Sequence, residues 1–294
     1  MMTRYHTLSI LLGSAVFGNL LHAQGKEEFV LQNGTRIEAI YVKPNGNGGF
    51  LASGSSVATT QFTGKDVAQA FLKQPSDLMA AREAMAAEQP DKAADLLEKV
   101  RPSLEPYQSI VNSHWLSATL LEMDALSRQG KAAQAAKLVP ATVMTRLPAT
   151  DASAIRDFQQ ILNPGTSTVE SQINAAKALA NSSMNPWLAA RLWLEIGYLH
   201  AEDGQVSQAV KAWLRVPVFY PAERDLAVRG TILAARGLQQ MDRREDGLKL
   251  LQDALGGMSR SGYQEILEIE AKKLNPEQQK TPAAPAEADA APNP

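Results

Sequence analysis

The chain of 294 residues contains no cysteine, which excludes disulfides, thiolate nucleophiles and cysteine-ligated metals. Histidine is scarce: there are four, and two of them, His6 and His22, fall in a leading segment expected to be removed. Neither sign of charge is in excess. Lys and Arg number 29 against 31 Asp and Glu, a formal net charge of −2. The chain therefore lacks the basic field of a nucleic-acid binder and any broad attraction to an anionic membrane. It also lacks a long apolar run, except one near the start that falls short of the about 20 residues needed to span a bilayer. Against these absences stand 45% hydrophobic and 20% charged residues, a balance that supports a packed core. The length suggests about two domains.

Arg4 is the only full charge before Lys26, and it precedes an apolar run from Leu8 to Leu21 that ends in His22-Ala23-Gln24-Gly25. A short positive start, an apolar core of about 7–15 residues and a small-residue exit describe a secretory signal peptide. Gly13, Ser14, Gly18 and Asn19 interrupt the run and argue against a membrane anchor. Cleavage is expected after Ala23, with Gly25 as the alternative, so residues 1–23 are assigned to the signal. The mature protein is then expected to be exported, periplasmic or extracellular, with no integral span. Without cysteine, an exported chain must draw its stability from packing.

Residues 24–73 alternate as β-strands do. Phe29-Val30-Leu31 leads into Asn33-Gly34, a two-residue hairpin signal in which both turn residues take positive φ. Thr35–Val42 places Ile37, Ala39 and Tyr41 on one face. Pro44–Gly49 is a looser turn, and Phe50–Ala52 and Val57–Phe62 read as two more strands. Val67, Ala70 and Phe71 fall at helical spacing and suggest a short closing helix. A strand, a glycine turn, a long Ile-x-Ala-x-x-Val strand and a Thr-x-Phe-x-x-x-Asp-Val ending resemble the small Sm-like or SH3-like barrels. Some of those bind RNA. Here Lys26, Arg36, Lys43, Lys65 and Lys73 are nearly balanced by Glu27, Glu28, Glu38 and Asp66, and the aromatics sit where a core needs them, so no nucleic acid is expected.

Residues 74–274 turn Ala-rich with helical spacing. Trp193, Gly197, His200, Gly204, Ala209, Trp213, Val216 and Pro221 form one pattern. It resembles the tetratricopeptide repeat, a helix–turn–helix unit of about 34 residues, although His200, Ile196 and Val216 replace that family's usual Tyr, Leu and Ala. Weaker copies begin around Ala93, Ala135 and Gly247. The small residues Ala93, Ala135, Ala209 and Gly247 are 42, 74 and 38 apart. The 74 is two units of 37, so an unrecognised unit is expected between Asp151 and Asn185, with helices at Asp151–Leu162 and Val169–Asn181. The predicted fold is mainly α: a solenoid of about five helical hairpins resembling tetratricopeptide repeats, preceded by a small β-barrel or meander. Residues 275–294, rich in Ala, Pro and acid, are expected to be a disordered tail.

No motif in the chain carries a recognisable chemistry. There is no phosphate-cradling loop, no Gly-x-Ser-x-Gly elbow and no His-Glu-x-x-His. His200 with Glu202 and Asp203 makes a poor metal ligand set. No pair among Glu122, Asp124 and Glu195 stands out as a catalytic couple. Neither a metal nor a cofactor is expected. The resemblance to tetratricopeptide repeats implies a concave face lined by the first helix of each hairpin. On that frame the partner-binding candidates are Arg128, Arg191, Leu194, Tyr198, Arg229, Ile232 and Arg236. Glu202, Gln239, Leu120, Asp124 and Arg82 would flank them, and the arginines suit a peptide or helix bearing carboxylates. The alternative role for these arginines is ion pairing within the solenoid, with Glu195, Asp203 or Asp225. The expected function is a non-catalytic scaffold or adaptor of a bacterial-type cell envelope, its partners other envelope proteins or peptides. The alternative is a carbohydrate- or peptidoglycan-associated binding factor or a carboxylate-based hydrolase.

Overall fold

The computed structural model describes residues 27–45, 49–53, 59–111, 113–163, 165, 167–257 and 261–275. The signal segment and the Ala/Pro-rich tail after Asn275 lie outside the described residues.

The alternating region folds as six strands: β1 (Glu27–Leu31), β2 (Arg36–Ala39), β3 (Tyr41–Pro44), β4 (Gly49–Ser53), β5 (Thr60–Thr63) and β6 (Val67–Phe71). They form two antiparallel sheets, ordered β2-β1-β6 and β3-β4-β5. The chain passes from one sheet to the other at two corners, Ile40 between β2 and β3 and the short turn Gly64–Asp66 between β5 and β6. Pairing Phe29 with Ile37 and Phe50 with Phe62 points these residues into one core with Ala39, Ala52 and Val67. The Phe62 ring lies 5.0 Å from Phe29 and 5.6 Å from Phe50, so these three phenylalanines pack inward.

Two local expectations change. At Asn33-Gly34 only the glycine takes positive φ, at 81°. Leu31 N–H donates to Thr35 O (2.8 Å) and Gly34 N–H to Leu31 O (2.9 Å), closing a three-residue loop. Asn33 contributes its side chain instead, Oδ1 accepting from Thr35 N–H at 2.9 Å. The expected helix after Val67 is strand β6, which pairs Phe71 with Glu28 and Ala70 with Phe29. Five residues are too few for periodicity to decide, and β1 needed a second neighbour on its open edge.

Twelve helices follow among the described residues. The first unit is α1 (Ser76–Ala86) with α2 (Pro90–Leu104). The second is α3 (His114–Arg128) with α4 (Ala132–Ala136) and the short α5 (Ala141–Met144). The third is α6 (Ala149–Leu162) with α7 (Val169–Ser182), the fourth α8 (Pro186–Glu202) with α9 (Val206–Phe219), and the fifth α10 (Arg224–Gln240) with α11 (Arg244–Gly256). The last helix, α12 (Gly262–Leu274), closes the array. No helix among the described residues is long and apolar enough to cross a membrane.

Four of the five units share one turn. Glu88, Gly130, Gly204 and Asp242 each adopt positive φ. Behind them Gln89, Lys131, Gln205 and Arg243 donate their N–H to the carbonyls of Ala84, Leu126, His200 and Leu238 at 2.8–2.9 Å. This is the Schellman closure of a helix end. Each turn leaves three residues between its helices, and four residues after each donor sits a buried small residue: Ala93, Ala135, Ala209 or Gly247. At such contacts the helices approach closely; a Cβ on Gly197 would lie 2.1 Å from Trp213 Nε1. The third unit departs, with six residues between α6 and α7. These two helices touch little: α6 turns toward α3 and α4, and α7 packs along α8.

The array curls until its ends meet. Ala86 of α1 shares a core with Val228, Ile232, Ala235, Leu251, Leu267 and Leu274 from α10, α11 and α12. Arg82 of α1 donates to Asp225 at 3.1 Å, and Arg236 of α10 grips both Glu88 and Glu270. The β module docks beside the first unit. Ile110 joins its core, Tyr107 stacks on Phe50 at 5.5 Å, and His114 Nε2–H donates to Leu72 O at 3.0 Å. Gly64 makes that approach possible, since a Cβ there would stand 2.1 Å from Ser109 Oγ.

Candidate functional site

The structure gathers four of the seven candidate residues into one cluster, but that cluster is closed. Arg128 stands on α3, Arg191 and Tyr198 on α8 and Arg229 on α10, all around Asp124 of α3. Asp124 Oδ1 accepts from Arg191 Nε at 2.5 Å and lies 3.4 Å from Arg128 Nε; its Oδ2 accepts from Arg229 Nη1 at 2.9 Å. Arg191 Nη1 also donates to Glu195 Oε2 at 2.8 Å. Tyr198 O accepts from Arg128 Nη2 at 2.7 Å and from Arg229 Nε at 3.2 Å. The side chains of Asp124, Arg229 and Arg191 are 0%, 1% and 3% exposed.

Electrostatics follow from that burial. Arg191 stays protonated: burial alone would lower its pKa, but Asp124 and Glu195 raise it well above the usual guanidinium value. Burial also pushes the Tyr198 phenol far up, so it remains neutral. Flat guanidinium faces complete the packing, Arg128 over the Tyr198 ring at 4.8 Å and Arg191 over Phe158 at 5.6 Å.

The expected open concave face is corrected accordingly. Arg128 is mostly buried, Arg191 and Arg229 are enclosed, and Leu194 and Ile232 are core residues. Arg236 is half-exposed and committed to Glu88 and Glu270. Among the flanking residues, Leu120 is buried and Arg82 pairs with Asp225. The physical cause is the curl: with α1 meeting α10 and α12, first-helix faces line a filled interior instead of a groove. Of the anticipated internal partners, Glu195 and Asp225 do form ion pairs, and so does Asp124. Glu122 is paired as well, accepting from Arg101 Nε at 2.6 Å.

An open cleft lies where the third unit parts. About 320 Å³ in volume, it runs between the end of α6, the first two turns of α7 and the second half of α8. Gln160, Asn163, Ser171 and Gln172 supply amides and hydroxyls to its wall, Ala175 and Leu199 supply apolar surface, and among the described residues Glu195 is its one charged side chain. Glu195 thus joins the two places, one carboxylate oxygen held by Arg191 and the side chain facing the cleft. Apart from Glu195, the sequence reading missed these residues. Their signal was present as the one unit without a repeat pattern between Asp151 and Asn185. Among the described residues no three His, Asp or Glu side chains stand close enough to hold a metal ion.

No protein-family model matches this chain, and no curated protein or solved structure matches it.

Proposed function

We propose that this chain is a non-catalytic adaptor that holds a partner protein in the cell envelope, with the cleft of the third unit as its docking surface. The observation that carries the reading is the parting of α6 from α7 in an otherwise regular array of hairpins. A repeat that departs from its neighbours where a wall of amides and hydroxyls opens to solvent is suited to an extended peptide. Gln160, Asn163 and Gln172 can bond both the N–H and the C=O of a strand-like segment, while Ala175 and Leu199 receive its apolar side chains. The four matched Schellman turns and the small residues after them support a kinship of architecture with tetratricopeptide repeats. The signal-peptide pattern of residues 1–23 supports export.

A glycan ligand is the second reading, because amides beside a carboxylate also bind sugar hydroxyls. One experiment separates the two. A photo-crosslinking residue is placed at Gln172, and in a control at Lys249 on the exposed face of α11, with the full chain expressed in its native host. A discrete protein adduct at position 172 alone, lost when Ala175→Trp fills the cleft, is the expected result. A glycan adduct at 172 selects the second reading, and equal labelling at 172 and 249 overturns the cleft as the docking surface.

A further inference from the structure

We propose that one edge of the array, formed by the α7–α8 and α9–α10 connections, is a contact surface for a phospholipid bilayer. Met184, Val218 and Phe219 enter the acyl boundary and Arg215 reaches the lipid phosphates. This inference is independent of the cleft reading and rests on where the most exposed apolar side chains lie. Among the described residues these are Met184, at 89%, and Val218 and Phe219, each at 65%. Helices α8 and α9 form an antiparallel hairpin, with Trp213 of α9 donating to Leu194 O of α8. Met184 stands just ahead of that hairpin, and Val218 and Phe219 end it, so all three belong to one edge. Single apolar residues on a surface are ordinary, whereas a group of them marks a contact.

The sequence at this edge is graded from apolar to cationic. Val216–Ala222 carries no charge, and Pro221 and Ala222 are exposed beside the two tips. Glu223, which closes the run, is half-buried near Asp225 and Arg82 of the seam. Arg215 is exposed and has no carboxylate partner among the described residues. Its guanidinium lies 4.2 Å over the Trp193 ring and 5.9 Å from the Phe219 ring. Lys211, Arg215 and Phe219 are four residues apart and share one exposed face of α9. At 1.5 Å per residue, Arg215 stands about 6 Å and Lys211 about 12 Å behind the tip. Segments that rest in the bilayer interface sink apolar side chains by about 5–10 Å, which puts Arg215 at the level of the phosphates. A protein partner would also cover apolar tips, but it gives no reason for this order along one helix face. Three tips and an arginine hold far less strongly than a spanning helix, so the contact is reversible. The cleft lies at the start of α7 and in the second half of α8, the opposite end of both helices from this edge. A chain seated on a bilayer in this way keeps the cleft open.

The absence of cysteine permits a site-specific test. An environment-sensitive fluorophore is attached to the full chain at Ala222→Cys, and in a control at Lys249→Cys on α11. Vesicles of phosphatidylethanolamine and phosphatidylglycerol carrying a nitroxide-labelled lipid are then added. The expected result is a blue shift and quenching of the label at position 222, with the label at 249 unchanged. Adding Val218→Ser and Phe219→Ser, both at exposed sites, should raise the lipid needed for half-maximal quenching at least about tenfold. Arg215→Gln should raise it about fivefold, and circular dichroism should show both variants folded. A silent label at 222 overturns the proposal, as does equal quenching at 222 and 249. Quenching that survives Val218→Ser/Phe219→Ser assigns the contact to another part of the chain and overturns it too. A label at 222 that ignores vesicles but is shielded by a protein from envelope extract overturns it in favour of a protein partner.

Discussion

Asp124 decides whether two enclosed arginines are tolerable. Both of its oxygens are engaged by guanidinium groups on other helices, Arg191 of α8 and Arg229 of α10, so one carboxylate ties three inner helices together. Removing one partner of a buried pair leaves the other charged and desolvated. Asp124→Asn is therefore expected to lower unfolding free energy by about 3–5 kcal/mol, measured by urea denaturation with circular dichroism. A loss below about 1 kcal/mol would show the cluster to be as well solvated as a surface pair. The sequence placed Arg128, Arg191, Tyr198 and Arg229 on neighbouring helical faces, and the structure agrees on that proximity. Helical spacing says which residues share a face, but not whether that face meets water or the next helix.

At the scale of elements, the repeated turn is the feature that makes the array regular. Two of its four left-handed positions are glycine and two are not: Glu88 and Asp242, both with φ of 58°. A side chain there crowds the following carbonyl by about 1–2 kcal/mol. Asp242 is exposed, so Asp242→Gly should stabilise the chain by about 0.5–1 kcal/mol after the added freedom of the unfolded state is subtracted. Differential scanning calorimetry would reveal it as a raised melting point, and a lowered one would refute the strain argument. The junction of α3 with the β module carries a pH dependence. Burial of the His114 ring, with Arg82 nearby adding to the effect, holds its pKa below the ordinary imidazole value. The unfolded chain takes up this proton near pH 6.5, and the folded chain resists it. The contribution of His114 is thus complete above about pH 6.5 and is lost as pH falls toward the folded pKa. His114→Gln, which can still donate to Leu72 O, should flatten the fall in urea midpoint between about pH 7 and 5.5; an unchanged slope would place the dependence elsewhere. The hairpin units were legible from Ala93, Ala135, Ala209 and Gly247, because close helix contacts demand small residues. Strand β6 was not legible, since its partner β1 lies at least 36 residues earlier, counting from Leu31 to its partner Val67.

At the scale of the whole molecule, closure sets what the solenoid can offer a partner. The seam between α1 and the fifth unit with α12 rests on a small apolar core and on Arg82 with Asp225 and Arg236 with Glu88 and Glu270. Arg236 is half-exposed, so its pairs are screened and each contributes little alone. Removing both arginines should loosen the seam without unfolding the units. The Arg82→Ala/Arg236→Ala variant is expected to keep its helical circular dichroism, to exchange amide hydrogens faster in α1 and α12, and to gain radius of gyration in X-ray scattering. Exchange confined to other helices would locate the closure elsewhere.

From sequence alone, the helical class, the unit spacing, the preceding β region and the small residues at helix contacts could all be derived. Each of these depends on residues near one another in the chain, where periodicity and turn chemistry act directly. The tertiary structure alone decided that the array curls onto itself, that the arginine-bearing faces turn inward onto Asp124, and that the third unit opens a cleft. These outcomes depend on how small angles add along five stacked units, from the helix of Ser76 to that of Leu274. A sum of that kind is set by every interface together and by no single stretch of residues.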